Sequence, residues 1–191
     1  MMLQKTYLKK VGKDLLSYSS KRRDVIKISG DALHLSKRAI FAMHRDNMKE
    51  ASLKIKEAEK MFKGLNKKYS KDPRIQNEGS YKAGLEEYVE AVLFHQFLST
   101  GKMGEIKSLP ISPEGYIAGL CDVPGELYRY AIKAATDNDI KTVKKCAEMA
   151  QEIVGELIEF NLTSYLRNKF DQAKSAVQKI ERVVYELSLQ K

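Results

Sequence analysis

The feature that most constrains this chain is the spacing of its apolar residues, which recur every three or four positions over long stretches. Only four prolines interrupt the 191 residues, and three of them fall between these stretches. A period near 3.6 residues places apolar side chains on one face of an α-helix. No segment alternates between apolar and polar residues in the manner of a strand. The pattern therefore predicts an all-α protein.

The same spacing predicts six or seven helices, several of them longer than twenty residues. Ser112-Pro113 suits a helix start, because serine caps the first turn and proline fits its first position. A length of 191 residues suits one domain, so we expect a single helical domain over 1–191. Long helices leave wide apolar faces, which favours self-association. The predicted helical segments are 3–45, 47–70, 79–100, 113–136, 139–168 and 170–189.

Several classes of protein do not fit the composition. No window approaches eighteen consecutive apolar residues, so we expect neither a membrane span nor a membrane partner. The start, Met1-Met2-Leu3-Gln4-Lys5, lacks the apolar stretch of a secretory signal. Cys121 and Cys146 are the only cysteines and have no metal-binding spacing, which argues against a disulfide scaffold or a structural zinc site. We therefore expect a cytoplasmic protein.

Positive charge is concentrated in the first third of the chain. Residues 1–71 contain 19 Lys and Arg against 7 Asp and Glu, whereas residues 72–191 contain 15 against 18. A basic arm of this kind attracts polyanions, with nucleic acid first and an anionic membrane second. The alternative is a lysine-rich face that only confers solubility.

Candidate phosphate-binding residues lie on the basic N-terminal helix predicted over 1–45. Lysine and arginine bind phosphates without reading base sequence, so we expect little sequence preference. His44 is a further candidate, because its ring can stack on a nucleotide or form a hydrogen bond with it. The periodicity predicts that Phe41 and Met43 belong to the core. The predicted nucleic-acid-binding set is Lys21, Arg22, Arg23, Lys27, Lys37, Arg38, His44 and Arg45.

Two pairs of carboxylates stand at helical spacing within the apolar segments 79–101 and 113–136. Glu87 and Glu90 are three residues apart, or about 60° around a helix, whereas Glu86 is expected to face solvent. Asp122 and Glu126 are four apart, or about 40°. Ionised carboxylates near a core cost on the order of several kcal/mol when unpaired, so two such pairs on neighbouring helices call for a cation.

Mg²⁺ is the predicted cation, with Mn²⁺ as a substitute. Hard divalent ions prefer oxygen ligands, and Mg²⁺ combines a few carboxylates with water and substrate phosphate. Such an ion activates water and offsets charge on a phosphodiester. The spacing therefore predicts metal ligands, and candidate catalytic residues, at Glu87, Glu90, Asp122 and Glu126.

Two alternatives to this site stay open at the level of sequence. Acidic pairs on helices are commonly surface features, and we interpret a second acidic stripe on 139–168 in that way. The stripe comprises Glu148, Glu152, Glu156 and Glu159. A di-iron carboxylate bundle requires Glu-x-x-His pairs, and only Asp31-Ala-Leu-His34 comes close.

Five stretches in the right order resemble the translin family, most closely its translin-associated factor X branch. They are KRRDVIKISGD at 21–31, LSKRAIFAMHR at 35–45, GLEEYVEA at 84–91, GLCDVPGEL at 119–127 and KIERVVYELS at 179–188. Together they span nearly the whole chain. The resemblance implies a translin-like helical bundle that assembles into a hollow oligomer, with a homo-octamer expected.

The resemblance also implies a function. In the factor X branch a Mg²⁺-dependent endoribonuclease cuts single-stranded RNA inside the shell, and its acidic positions match Glu87, Glu90, Asp122 and Glu126. Translin itself lacks this acidic set, so the alternative is a non-catalytic shell that binds single-stranded RNA or single-stranded DNA.

The sequence departs from the family pattern at two positions. Gly30 stands where the family usually has arginine, and Pro124 stands where threonine is common. Inside a helix, Pro124 removes the hydrogen bond to the Leu120 carbonyl, which either aims the neighbouring carboxylates or only accommodates packing.

Overall fold

The computed structural model describes residues 3–189, and this range forms six α-helices and no strand. The all-α prediction is therefore confirmed. Met1, Met2, Gln190 and Lys191, which the predicted domain and start include, lie outside the described residues. None of the six helices is both long and apolar enough to cross a membrane. The helices are α1 (Lys5–His44), α2 (Met48–Lys68), α3 (Gly79–Thr100), α4 (Pro113–Thr136), α5 (Ile140–Ile158) and α6 (Ser164–Ser188).

Side-chain caps fix the starts of three helices where the sequence predicted breaks. Asn47 accepts a hydrogen bond from the Glu50 backbone N–H at 3.1 Å and so begins α2. Ser112 does the same for Gly115 at 3.1 Å, with proline at the next position. Each cap satisfies a backbone donor that the first helical turn leaves free.

The division between the last two helices differs from the prediction. We expected helices over 139–168 and 170–189, whereas α5 ends at Ile158 and α6 begins at Ser164. The intervening residues include neither proline nor glycine, so the sequence gives no strong signal for a break. The turn lets α6 fold back against α4 and α5. Tertiary packing therefore decides this boundary rather than local propensity.

The helices pack as two groups that meet between α3 and α4. In one group α1 contacts α2 and α3, and in the other α4 contacts α5 and α6. The buried face of α1 is formed by residues spaced alternately four and three apart, which we call the ladder. Most of them are small, so the neighbouring helices can approach α1 closely. The ladder is Val25, Ser29, Ala32, Ser36, Ala39 and Met43.

The same ladder explains why one core prediction for α1 is wrong. Met43 is buried as expected, but the Phe41 side chain is 50% exposed. Phe41 is two residues from Ala39, which places it about 200° around the helix and therefore away from the core.

Glycine at position 119 permits an unusually close approach of α4 to α3. A Cβ atom there would lie 2.7 Å from the Glu86 carbonyl oxygen and 2.6 Å from a Val89 methyl carbon. Real Cβ atoms do not approach backbone so closely, and a backbone oxygen in a helix cannot move aside cheaply. Gly119 therefore sets the spacing between the two helices that carry the predicted acidic residues.

We expect Gly119→Ala to lower the free energy of unfolding by about 1–3 kcal/mol, because the added methyl group overpacks the α3–α4 contact. The matched control is Gly155→Ala in α5, where a Cβ atom would meet nothing within 4 Å. That change should stabilise the helix by up to about 1 kcal/mol. Urea unfolding followed by circular dichroism measures both, and equal stability of the two variants would contradict this account of Gly119.

Candidate metal and nucleic-acid site

The four predicted acidic residues face one another across the α3–α4 contact. Glu87 and Glu90 come from α3, and Asp122 and Glu126 come from α4. The charges of the other three carboxylates act together to raise the pKa of Glu90. The structure therefore places the predicted acidic set on two helices in contact, near enough for the charges of Glu87, Asp122 and Glu126 to act on Glu90.

Glu90 is the most unusual member of this set. Its side chain is only 7% exposed, and within residues 3–189 no basic side chain forms an ion pair with it. Burial and then the carboxylates of Glu87, Asp122 and Glu126 raise the pKa of Glu90 to about 9. An ionised carboxylate here needs a neutralising positive charge, because desolvation and like-charge repulsion both oppose ionisation.

The other three acidic residues are each paired with a base from another helix. The Lys37 Nζ atom lies 3.7 Å from Oε2 of Glu87. Lys169 Nζ donates a hydrogen bond to Asp122, and the His44 ring contacts Glu126 through Nε2. These bases come from α1 and α6, so elements of both helix groups contribute to the site.

The carboxylates are not arranged as a metal-binding cluster in this structure. Among the described residues, no three His, Cys, Asp or Glu side chains form a preassembled metal-binding cluster. Like charges separate when nothing positive lies between them, and each takes the nearest base. The donor set still fits Mg²⁺, because all four side chains offer oxygen and buried Glu90 has no positive partner in the part of the chain that the structure describes.

Burial also acts on Glu87 and Asp122. It raises the pKa of Glu87, and although the nearby Lys37 opposes this, Asp122 and Glu126 add to it. Burial likewise raises the pKa of Asp122, against the hydrogen bond from Lys169. Three members of the set therefore gain from a cation, which is the electrostatic signature of a functional site.

Lys169 and Tyr165 are site residues that sequence reasoning missed. The Lys169 Nζ atom lies 3.6 Å from Oε2 of Glu86 as well as contacting Asp122. The Tyr165 hydroxyl donates to the same Glu86 oxygen at 2.7 Å. Glu86 was predicted to face solvent, and this was wrong because α6 covers it. Lys169 fell between two predicted helices, so only the correct start of α6 would have indicated its position.

His44 does not occupy the role predicted for it. Its side chain is 8% exposed and packs against Phe94 and Tyr130, with ring centroids 5.3 and 6.0 Å away. Its Nε2 atom contacts Glu126, so the ring orients an acidic residue and is not available to a nucleotide. A buried polar ring of this kind needs a hydrogen-bond partner, and Glu126 supplies it.

The predicted basic set divides into two groups along α1. Lys37, Arg38 and Arg45 lie toward the end that carries the acidic site. The other group begins at Lys21, about 24 Å further along the helix from Lys37. It comprises Lys21, Arg22, Arg23 and Lys27.

Two residues of the second group have structural partners. Lys21 Nζ lies 2.9 Å from Asp72, and the Arg22 side chain lies 3.0 Å from Glu78. These ion pairs attach the first half of α1 to the segment between α2 and α3. Arg23 and Lys27 stay exposed and available to phosphates.

A cavity of about 670 Å³ opens beside the acidic set. Glu87 and Glu126 form part of its wall, and Arg129 of α4 joins the basic residues of α1 there. Its lining residues are His34, Lys37, Arg38, Ile40, Phe41, Glu87, Glu126 and Arg129. The cavity therefore joins a cationic surface to two of the predicted metal ligands.

The fold and the site together define an all-α protein with a partly neutralised carboxylate cluster beside a basic cavity. The sequence profile of the translin family matches residues 20–191. The chain belongs to the translin family, as the sequence motifs predicted.

Relatives from distant organisms are similar over most of their length. A translin-associated protein X homolog of Schizosaccharomyces pombe is 24% identical, with 86% of this chain and 80% of that protein covered. Translin-associated protein X of Rattus norvegicus is 26% identical, with 86% and 71% covered. An uncharacterized protein of Methanocaldococcus jannaschii is 25% identical, with 86% and 75% covered. The predicted likeness to the factor X branch is confirmed.

Solved structures show the same fold. The crystal structure of AfC3PO superposes with a TM-score of 0.88 at 25% identity, covering 97% of this chain and 98% of that one. The crystal structure of apo-NeC3PO gives 0.84 at 22% identity with the same coverage. A structure of AfC3PO in complex with duplex RNA gives 0.85 at 22% identity, again over 97% and 98%. The translin-like bundle is therefore confirmed.

The raised pKa of Glu90 predicts a pH dependence of stability in metal-free protein. Between the ordinary value of 4.5 and about 9, the folded state keeps a proton that the unfolded state releases. Stability therefore falls as pH rises through this window, by up to about 1.4 kcal/mol per pH unit. Glu90→Gln removes this contribution, so its stability relative to the unchanged protein should increase from pH 5 to pH 9.

Urea unfolding in EDTA at pH 5, 7 and 9 tests this dependence. Glu152→Gln, an exposed acid of α5, is the matched control and should leave the pH profile unchanged. A constant difference between Glu90→Gln and the unchanged protein at all three pH values would contradict the assignment.

Proposed function

We propose that this protein is a Mg²⁺-dependent endoribonuclease that cleaves single-stranded RNA. Glu87, Glu90, Asp122 and Glu126 hold the ion in this proposal, and Mn²⁺ can replace it. The observation that carries the proposal is that Glu90 is buried near three other carboxylates and has no basic partner within residues 3–189. Burying a carboxylate near like charges destabilises the metal-free protein, and a bound cation would offset this destabilisation.

The protein's own residues divide the work of the reaction. When bound, the ion lowers the pKa of a water molecule and offsets charge on the scissile phosphate. Lys37, Arg38 and Arg129 line the cavity and bind the flanking phosphates. A carboxylate of this set that is left free of the ion would accept a proton from the attacking water as general base. The contact between Nε2 of His44 and Oε2 of Glu126 orients the Glu126 carboxylate beside the cavity.

RNA is the nucleic acid that the comparisons favour. The AfC3PO structure with duplex RNA has the same fold as this chain, and the exposed basic residues of α1 supply phosphate contacts. The four acidic residues of the factor X pattern favour the catalytic branch. Binding of single-stranded DNA to the same basic surface is part of the proposal, since phosphate contacts do not distinguish the sugars.

Self-association into a hollow homo-octamer is the proposed assembly. The first half of α1 exposes Leu8, Leu15 and Leu16, which a second copy would cover. Cys121 and Cys146 are free and buried, which accords with the proposed cytoplasmic location.

Glu90→Gln and Asp122→Asn should each lower the rate of RNA cleavage at least about 100-fold, because each removes a ligand charge from the ion. Labelled single-stranded RNA incubated with Mg²⁺ or EDTA and separated on a gel gives the rate. Circular dichroism and RNA binding in EDTA should be unchanged in both variants. Glu152→Gln is the control and should cleave normally; full cleavage by both site variants would remove the catalytic assignment.

A second candidate function is a non-catalytic shell that binds single-stranded nucleic acid. The observation in its favour is that Lys37, Lys169 and His44 already pair with three of the four acidic residues. This candidate predicts salt-sensitive binding and no product that depends on Mg²⁺. The same gel therefore separates the two functions.

A further inference from the structure

We propose that Phe41 is a stacking platform for an unpaired nucleobase of single-stranded RNA at the entrance to the acidic site. The inference rests on the proposed function and names how that site recognises its substrate. It begins from the half-exposed ring of Phe41, which the packing of α1 turns away from the core. An exposed aromatic ring is apolar surface with a face that a base can cover.

The position of the ring relative to the acidic residues supports this role. Phe41 lines the same 670 Å³ cavity as Glu87 and Glu126. The volume falls within the range of sites that enclose small organic ligands. A base held against Phe41 therefore lies in the space that opens onto two of the proposed metal ligands, so its own phosphate is presented to them.

The cations around the ring suit the phosphates on either side of such a base. Lys37 and Arg38 precede Phe41 by four and three residues, which places them on the same side of α1. Arg129 reaches the cavity from α4. Arg45 lies over one face of the Phe41 ring, with its guanidinium carbon 4.7 Å from the centroid, so the proposed base stacks on the face that Arg45 does not cover. An aromatic face among phosphate-binding cations is the usual composition of a single-strand binding site.

The charge pattern favours RNA over a second copy of the chain as the occupant. Centres of protein interfaces are depleted in charge, and a partner surface would have to desolvate Lys37, Arg38 and Arg129 together. The exposed leucines in the first half of α1 offer the apolar surface that a second copy would cover. A polyanion gains from the same cations instead.

One consequence is that the base must leave its stack to reach Phe41. Bases in duplex RNA are already paired and stacked, whereas those in a single strand separate readily. Every base has a face that can stack, so the platform should be tolerant of sequence. The subsite therefore gives a preference for single strands without a preference for particular bases.

The test measures binding of a single-stranded RNA that contains 2-aminopurine, in EDTA so that no cleavage occurs. Phe41→Leu keeps the apolar volume but removes the aromatic face, and it should weaken binding about 5- to 30-fold and abolish the quenching of 2-aminopurine on binding. Phe41→Trp should retain both affinity and quenching. Phe160→Leu is the matched control, because Phe160 is 51% exposed but lies outside the cavity; it should behave as the unchanged protein.

An RNA with abasic positions sharpens the result. The abasic RNA should bind the unchanged protein more weakly than the intact RNA does. The unchanged protein and Phe41→Leu should bind the abasic RNA with equal affinity. Unchanged affinity and quenching in Phe41→Leu would overturn the platform. A smaller assembly of Phe41→Leu in light scattering would also overturn it, since a second copy would then be the occupant.

The same experiment separates this inference from the proposed function. If the unchanged protein does not bind RNA at all, both the platform and the proposed function are refuted. Quenching that depends on Phe41, together with no Mg²⁺-dependent cleavage, would support the platform while removing the nuclease proposal.

Discussion

The close contact between α3 and α4 at Gly119 is the constraint on which the candidate site depends. It places the carboxylates of one helix beside those of the other and buries Glu90 between them. Any side chain at position 119 would separate the helices and spread the acidic residues. The close packing of α3 against α4 therefore determines the electrostatics of the acidic residues beside the cavity.

The arrangement of charges suggests how the site is kept stable before it acts. Lys37 and Lys169 form ion pairs with Glu87 and Asp122, and the His44 ring contacts Glu126, whereas Glu90 has no basic partner within residues 3–189. In the proposed function, Glu87, Glu90, Asp122 and Glu126 would hold a divalent ion, which would supply the positive charge that these carboxylates now take from the bases. Lys37, which lines the cavity, would then be free to pair with an RNA phosphate.

Much of the fold and part of the site could be predicted from sequence, because both are encoded in local spacing. Caps such as Ser112 and Asn47 mark helix starts directly, and two acidic pairs within helices show their shared face. Contacts between distant segments carry no such signal, which is why Lys169 was missed. Phe41 and His44 were misjudged for a related reason. Whether these two side chains are buried depends on which face of α1 packs against the other helices. That face consists mostly of small residues such as Ala39, which indicate it only weakly in the sequence.

The central claim is that Glu87, Glu90, Asp122 and Glu126 together hold a divalent ion. The most direct measurement is anomalous diffraction from crystals of the protein soaked in Mn²⁺. The account predicts an anomalous peak bounded by these four carboxylates, with the side chains of Lys37 and Lys169 moved away from Glu87 and Asp122. Carboxylates that keep their lysine and histidine partners at saturating Mn²⁺, with no peak among them, would contradict it.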